Sequence, residues 1–357
     1  MNILIIGNGF DLAHGLPTSY RDFLKFVNLT ETEICSRLQS CGLTGEESAE
    51  DAKRIKQLIK ENYWINYFNN TTNYGERWVD FEGEISKRIQ IMDEVRKLVN
   101  SAQKRPCSKH EVECFNEIAN DYQDIYDEFE FEQNIENLDL LPTIKKKLLE
   151  DLNKLIQCLE LYICQYINKI DISSKKMEWI SNLHIDNVLS FNYTDTYERL
   201  YGNTHIQYHY IHGKADISNT IQSCNMVLGI DEYLTGTQKD DDNEYIEFKK
   251  FFQRIYKGTG ATYKEWVHNI EEMKKIAPKA HYTPDEIYIM GHSLDVTDKD
   301  VLYEIVSNSY TKIHIYYHNQ KALADQIANL VKVVGQDKLI EYTYTQNPKI
   351  EFILQPE

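Results

Sequence analysis

The chain of 357 residues is 42% hydrophobic and 27% charged, so it is long and apolar enough for one elaborated domain or two. Its formal charge of −17 argues against a nucleic-acid partner, and no dense Lys/Arg stripe interleaved with aromatics offsets that charge. No apolar stretch has the length of a membrane span, and "NILIIG" is too short for a signal-peptide core.

The seven cysteines (Cys35, Cys41, Cys107, Cys114, Cys158, Cys164, Cys224) are odd in number and form no C-x-x-C pair. Reduced thiols, a cytoplasmic location and no structural zinc are expected from that usage.

Residues 2–6, "NILII", predict a covered parallel strand that runs into the glycine turn Gly7-Asn8-Gly9. A helix is expected from Ser19 in "SYRDFLKFVN". From about 30 to 182 the pattern is helical, in "AEDAKRIKQLIKENYWINYFNN", "FEGEISKRIQIMDEVRKLVNS" and "TIKKKLLEDLNKLIQCLELYICQYINKI", punctuated by Pro106 and Pro142. The acidic "DYQDIYDEFEFEQNIENLD" reads as a solvated face or connection.

Strand grammar returns at 185. "IDNVLSFNYT", "IQYHYIHG", "DEIYIMGHSL" and "TKIHIYYHN" predict strands, with helices in "DTYERLY", "DVTDKDVLYEIVSNS" and "QKALADQIANLVKVVG". The pattern predicts an open, mainly parallel α/β sheet of Rossmann type with large helical insertions. Residues 1–29 and 183–357 form the expected discontinuous core, 30–182 a helical insertion or lid, and 232–284 a second, smaller helical insert.

Ligands in such sheets bind at the carboxyl ends of the strands. Four polar clusters fall there: "GNGFD", "SFNYTD", "YIHG" and "GHSLD". Gly7 and Gly9 permit close backbone approach to a phosphate, or a purely structural turn. The dehydrogenase fingerprint G-x-G-x-x-G is absent, since Leu12 stands where its third glycine belongs. Asp11 fits a ribose hydroxyl or a cap, and His14 a ligand contact or a polar loop. Arg21 fits a diphosphate or a surface ion pair.

Asn192 and His212 are each compatible with a turn or a substrate contact, and His209 is the weaker histidine. Gly291-His292-Ser293 offers a second glycine turn for the other half of a dinucleotide. In "WVDFEGEI", Trp78, Asp80 and Glu82 read as a capping cluster with a core tryptophan, or as carboxylates reaching a cleft.

These blocks resemble the sirtuin nucleotide-binding core. Its G-A-G-x-S and G-[IV]-P-x-[FY]-R are similar to "GNGFD" and "GLPTSYR", with Gly7, Gly9, Gly15, Pro17, Tyr20 and Arg21 in the matching positions, though one residue more separates Pro17 from Tyr20. Its T-[QT]-N-[YIV]-D, L-H-G and G-T-S-L-x-V are similar to "SFNYTD", "IHG" and "GHSLDV". Over its length the chain more closely resembles the AbiH-type phage abortive-infection family, at the N-terminus, "WVDFE", "FNYT" and "IHG".

The resemblance implies an anti-phage effector that cleaves the nicotinamide–ribose bond of NAD+ as substrate, with no prosthetic group. It implies catalytic roles for Asn192 and His212, and a dinucleotide site at Gly7, Asn8, Gly9, Phe10, Asp11, His14, Pro17, Arg21, Gly291, His292 and Ser293. Asp80 and Glu82 join as possible cleft carboxylates. The lack of a four-cysteine zinc module points away from peptide deacylation and leaves the hydrolysis of sirtuin-like defence NADases. A non-catalytic NAD or ADP-ribose sensor and an ADP-ribosyltransferase are the rival functions. A homo-oligomer and a phage-encoded trigger are the implied partners.

Overall fold

The apolar run after Met1 is strand β1 (Ile3–Ile6), and all four of its residues are buried. The computed structural model describes residues 1–72, 80–100, 108–111, 113, 140–276 and 284–356. Trp78, Cys107, Cys114, Pro106 and the acidic run over 121–139 lie outside them.

After β1 come α1 (Asn8–Ala13), α2 (Tyr20–Val27), α3 (Glu31–Ser40), α4 (Gly45–Ile59), α5 (Tyr63–Thr72), α6 (Phe81–Asn100), α7 (Leu140–Gln165) and α8 (Glu178–Ser181). Then follow β2 (Asn187–Ser190), α9 (Thr196–Tyr201), β3 (Gln207–Tyr210), α10 (Gln238–Asp241), α11 (Lys250–Lys257) and α12 (Thr262–Ile276). The chain closes with β4 (Asp285–Met290), α13 (Lys299–Ser307), β5 (Thr311–Tyr317), α14 (Gln320–Val334), α15 (Gln336–Thr343) and β6 (Ile350–Leu354).

Two compact units divide the chain: Met1–Ser19, Ile163–Asp216 and Lys257–Glu357 form one, Tyr20–Tyr162 and Ile217–Tyr256 the other. The sequence pattern puts these boundaries elsewhere, at 29/30, 182/183, 231/232 and 284/285. The structure assigns α2 to the second unit, and α8 and α12 to the first.

The first unit holds a six-stranded sheet in the order β3-β2-β1-β4-β5-β6, with every pairing parallel. That is the strand order of a doubly wound Rossmann-like sheet, whose strand order reverses between β1 and β4. Its two faces are set by alternation along β1. Ile3 and Ile5 join Leu189, Ile287, Ile289 and Ile313 in the core under α12, α13 and α14, where Trp266, Leu302, Ile305 and Leu330 pack. Leu4 and Ile6 face the other way, onto Phe10, Ile180, Val188, Tyr197 and Met290. Each fully buried aliphatic side chain contributes about 1.5–3 kcal/mol, so a strand covered on both faces must be apolar throughout.

The second unit is helical. Capping boxes start α3 and α4: Thr30 with Glu33, and Thr44 with Glu47, each satisfy two otherwise unpaired amides. The stretch from 49 to 70 is not one helix. It breaks after α4, where Glu61 takes φ +54° and the Asn62 side chain accepts from the Ile65 amide to start α5. Phe81 stacks on Phe68 at 3.9 Å and on Tyr20 at 4.1 Å, and the Trp64 indole donates to the Leu148 carbonyl at 2.9 Å.

In the first unit, the β1 and β4 turns touch backbone to backbone. A Cβ on Gly291, where φ is +64°, would lie 2.0 Å from the Phe10 nitrogen, and one on Gly7 would lie 2.8 Å from the Gly291 oxygen. Gly291→Ala is expected to lower unfolding stability by about 2 kcal/mol or more in chemical denaturation. Gly260→Ala, at φ +82° with only the Thr262 hydroxyl near its Cβ position, at 4.0 Å, carries the backbone strain without the clash and is expected to lose clearly less.

Candidate functional site

β1 leads into Gly7, and a six-residue helix follows at once where the sequence pattern gives a glycine turn. The Gly7 amide donates to Met290 O at 3.1 Å, the Gly9 amide to Gly291 O at 2.8 Å and the Phe10 amide to Gly7 O at 2.8 Å. These three amides are therefore engaged inside the fold. The glycines serve first to let the β1 and β4 turns pack together, and an anion would draw its donors from elsewhere.

From the end of β2, Asn192 reaches the same turn. Its side chain is buried, and Nδ2 donates to Gly7 O at 3.0 Å. Asp11 lies beside it on α1 with 1% of its surface exposed, accepting from the Thr194 hydroxyl at 2.6 Å through Oδ2. Its Oδ1 is buried with no hydrogen-bond partner. Burial pushes the Asp11 carboxyl up to about 6, against the opposing pull of hydrogen bonds from Thr194, Thr196 and Asn192. An under-satisfied buried carboxyl at the carboxyl edge of a parallel sheet is the kind of group that marks a site.

His14 is different. Its Nδ1 lies 2.7 Å from Phe10 O, which can only accept, and its Nε2 lies 2.8 Å from the Tyr201 hydroxyl. That hydroxyl also accepts the Met177 amide at 2.8 Å, so its proton points to His14 Nε2. The ring is thus neutral and satisfied at both nitrogens, and burial holds its basicity down against the Phe10 carbonyl. Phe10 is likewise a core residue. Both are structural members of this edge.

His212, after β3, and His292, after Gly291, are both buried. They converge on Asp298, a buried residue that the sequence patterns did not single out. His212 Nε2 is 3.1 Å from Asp298 Oδ1, and His292 Nε2 is 3.7 Å from Asp298 Oδ2. No aligned hydrogen bond accompanies the His212 contact, so that nitrogen is held at ion-pair distance. The Phe191 ring meets both imidazoles edge-on, at 5.4 Å from His212 and 4.3 Å from His292. The β4 turn that aims His292 contains two left-handed residues, Gly291 at φ +64° and the buried Leu294 at φ +59°. Such backbone strain concentrates where geometry matters for function.

Asn192, Gly7, His292, Asp298 and His212 thus form one contiguous set at the carboxyl ends of β1, β2, β3 and β4. Other expected residues stand apart from it. Ser293 is exposed, its carbonyl accepting from Asn329 Nδ2 at 3.0 Å. His209 is a packing residue, with Nε2 3.1 Å from Thr259 O and its ring against Tyr263 and Trp266. Asn8 and Pro17 are half-buried in the segment around α1.

Arg21, Asp80 and Glu82 belong to the helical unit. Arg21 is exposed on α2, and Asp80 caps α6 by accepting the Gly83 amide at 3.1 Å. Glu82 Oε2 sits 2.8 Å from the buried Lys250 ammonium. The capping account of "WVDFEGEI" therefore fits Asp80, and Glu82 is ion-paired with Lys250.

Among the described residues no group of three or more His, Cys, Asp or Glu is arranged to hold a metal ion, and no helix is long and apolar enough to cross a membrane. The five described cysteines carry free thiols.

The family model described as "Bacteriophage abortive infection AbiH" matches residues 3–318, from the start of β1 to just past the end of β5. No curated protein and no solved structure matches the chain.

The Asp11 carboxyl supplies a test of the site's electrostatics. Its folded value near 6 lies above the ordinary 3.8, so the folded state holds this proton where the unfolded chain has released it. The stabilisation is complete below about 4 and is lost as pH rises through about 6. Relative to Asp11→Asn, the natural protein is expected to lose stability over that window, on the order of 3 kcal/mol, and to run parallel to the variant above it. Denaturation midpoints measured from pH 4 to pH 8 read this directly.

Proposed function

This chain belongs to the bacteriophage abortive infection AbiH family, and from that premise we propose that it is an effector that hydrolyses NAD+ on a sirtuin-like site. The observation that carries the proposal is the placement of Asn192 and His212 at the carboxyl ends of the adjacent strands β2 and β3, beside the β1–β4 turn pair. In doubly wound sheets that edge, at the point where strand order reverses, is where dinucleotides bind.

In the proposed reaction the bond from nicotinamide nitrogen to ribose C1′ breaks, and its electron pair leaves with neutral nicotinamide. The ribose carbon becomes oxocarbenium-like, and a water oxygen bonds to it. The water's surplus proton passes to His212 and then to solvent. NAD+ and water thus give nicotinamide, ADP-ribose and one proton.

Such a reaction needs positioning and support of positive charge more than nucleophilic force. Asn192, its amide nitrogen held on Gly7 O, turns its oxygen to the ribose and the water. His212 acts as general base. Asp11, once ionised, adds negative charge behind Asn192, which favours a cationic transition state. The engaged amides of Gly7 and Gly9 leave the diphosphate to other donors along the β1 and β4 turns.

NAD+ labelled in the adenylate half separates the possible functions, in extracts of phage-infected cells expressing the chain and with protein purified from them. Nicotinamide and labelled ADP-ribose released in equal amounts are expected, falling by about 10²-fold or more in Asn192→Ala and His212→Ala of unchanged melting temperature. Label attached to protein would identify an ADP-ribosyltransferase. Tight NAD+ binding without turnover in those activated extracts would identify a sensor, and either result would displace hydrolysis.

A further inference from the structure

Asp298 stands at the N-cap position of α13, where an aspartate ordinarily accepts a backbone amide of the first helical turn. Its side chain makes no such capping bond. Three residues earlier Asp295 does the ordinary thing, its Oδ1 accepting the Thr297 amide at 3.1 Å. The Asp298 carboxylate instead presents one oxygen to each of two imidazoles that come from strands β3 and β4, with β2 and β1 lying between them in the sheet.

The tautomer of one of those rings is fixed by its other nitrogen. His292 Nδ1 accepts the Leu294 amide at 2.9 Å, so the neutral ring carries its proton on Nε2, facing Asp298. His212 places the same nitrogen, Nε2, 3.1 Å from the other carboxylate oxygen, without an aligned hydrogen bond. All three side chains are buried, and a buried carboxylate requires N–H donors to stay ionised. Phe191, edge-on to both rings, restricts their rotation.

Lys214, two residues past His212, has both Glu198 oxygens within 3.0 Å, and Glu198 also accepts from the Tyr210 hydroxyl.

We infer that Asp298 is the positioning residue of His212, keeping a proton on Nε2 of that imidazole so that Nδ1 is the nitrogen offered to substrate. Its kinetic consequence rests on the proposed role of His212 as general base, while the tautomer is a property of the resting protein.

The experiment is NMR of the full chain with 15N-labelled histidine at a pH where His212 is neutral, its signals being assigned by their loss in His212→Gln. Neutral His212 is expected as the Nε2–H tautomer. In a folded Asp298→Asn the Nε2–H population of neutral His212 is expected to fall, with Asp298→Glu retaining more of it than Asp298→Asn. An Nδ1–H tautomer in the natural protein, or an unchanged tautomer population in a folded Asp298→Asn, overturns the inference. The tautomer decides alone if the variant does not fold.

Kinetics with NAD+ separate this inference from the proposed function. Asp298→Asn is expected to lose kcat by about 10²-fold while KM stays near its natural value. An Nε2–H His212 in activated protein that leaves NAD+ intact keeps the positioning role and removes the hydrolase. Hydrolysis by a protein whose His212 ignores Asp298 does the reverse.

Discussion

The site depends on one contact, the backbone-to-backbone packing of the β1 turn on the β4 turn. β1 and β4 are neighbours at the place where the sheet's strand order reverses, so their carboxyl ends would ordinarily diverge into a crevice. Here the Gly9 amide bonds to Gly291 O at 2.8 Å, and the two chains come closer than any Cβ would permit. The contact fixes Gly7 O, which holds Asn192, and it fixes the Cα of His292, which lies against Gly7. Two polar side chains far apart in the sequence are thereby placed by the same few atoms of main chain.

What surrounds this contact is a buried polar edge in which satisfaction is uneven. His14 is complete, with a donor at one nitrogen and an acceptor at the other, and its network closes through Tyr201 onto the Met177 amide. Asp11 and His212 are incomplete: each has a buried polar atom without an aligned partner. An unsatisfied buried group costs about 1–3 kcal/mol, more when charged, so a fold retains such groups only where something else compensates or uses them. That difference, and not the residue type, separates the structural histidine at position 14 from the one at position 212.

Much of the sheet was legible because its strands are short apolar runs that end in polar clusters. β1 through β5 fall where alternation and glycine turns place them, and Asn192, His212 and the Gly7–Gly9 turn lie on one edge as strand-end residues must. α1 was hidden because six residues containing a glycine carry too little periodicity to register as a helix. β6 was missed because "IEFIL" is a partly exposed edge strand that lacks clean alternation. Asp298 was missed for a different reason. In sequence it is indistinguishable from a helix cap, and only the long-range approach of β3 and β4 shows that its carboxylate faces imidazoles. Asp11 likewise owes its burial and its Thr194 bond to residues 183 positions away.

The compact units differ from the sequence boundaries in a way that bears on the candidate site. The chain leaves the sheet unit after Ser19 and after Asp216, and re-enters it at Ile163 and Lys257. Both exits follow the carboxyl ends of strands, β1 and β3, and both returns lead into the amino ends of the next strands, β2 and β4. The insertions are therefore enlarged crossovers of a parallel sheet, and a parallel crossover must begin at the edge where ligands bind. Residues 7–19 carry the glycine turn and Asp11, and residues 211–216 carry His212 and Lys214. Each of these segments is at once a wall of the site and the tether of a helical insertion. Composition alone marks the helical block as a separate body at residue 30, whereas chain connectivity makes its two outgoing tethers part of the site itself.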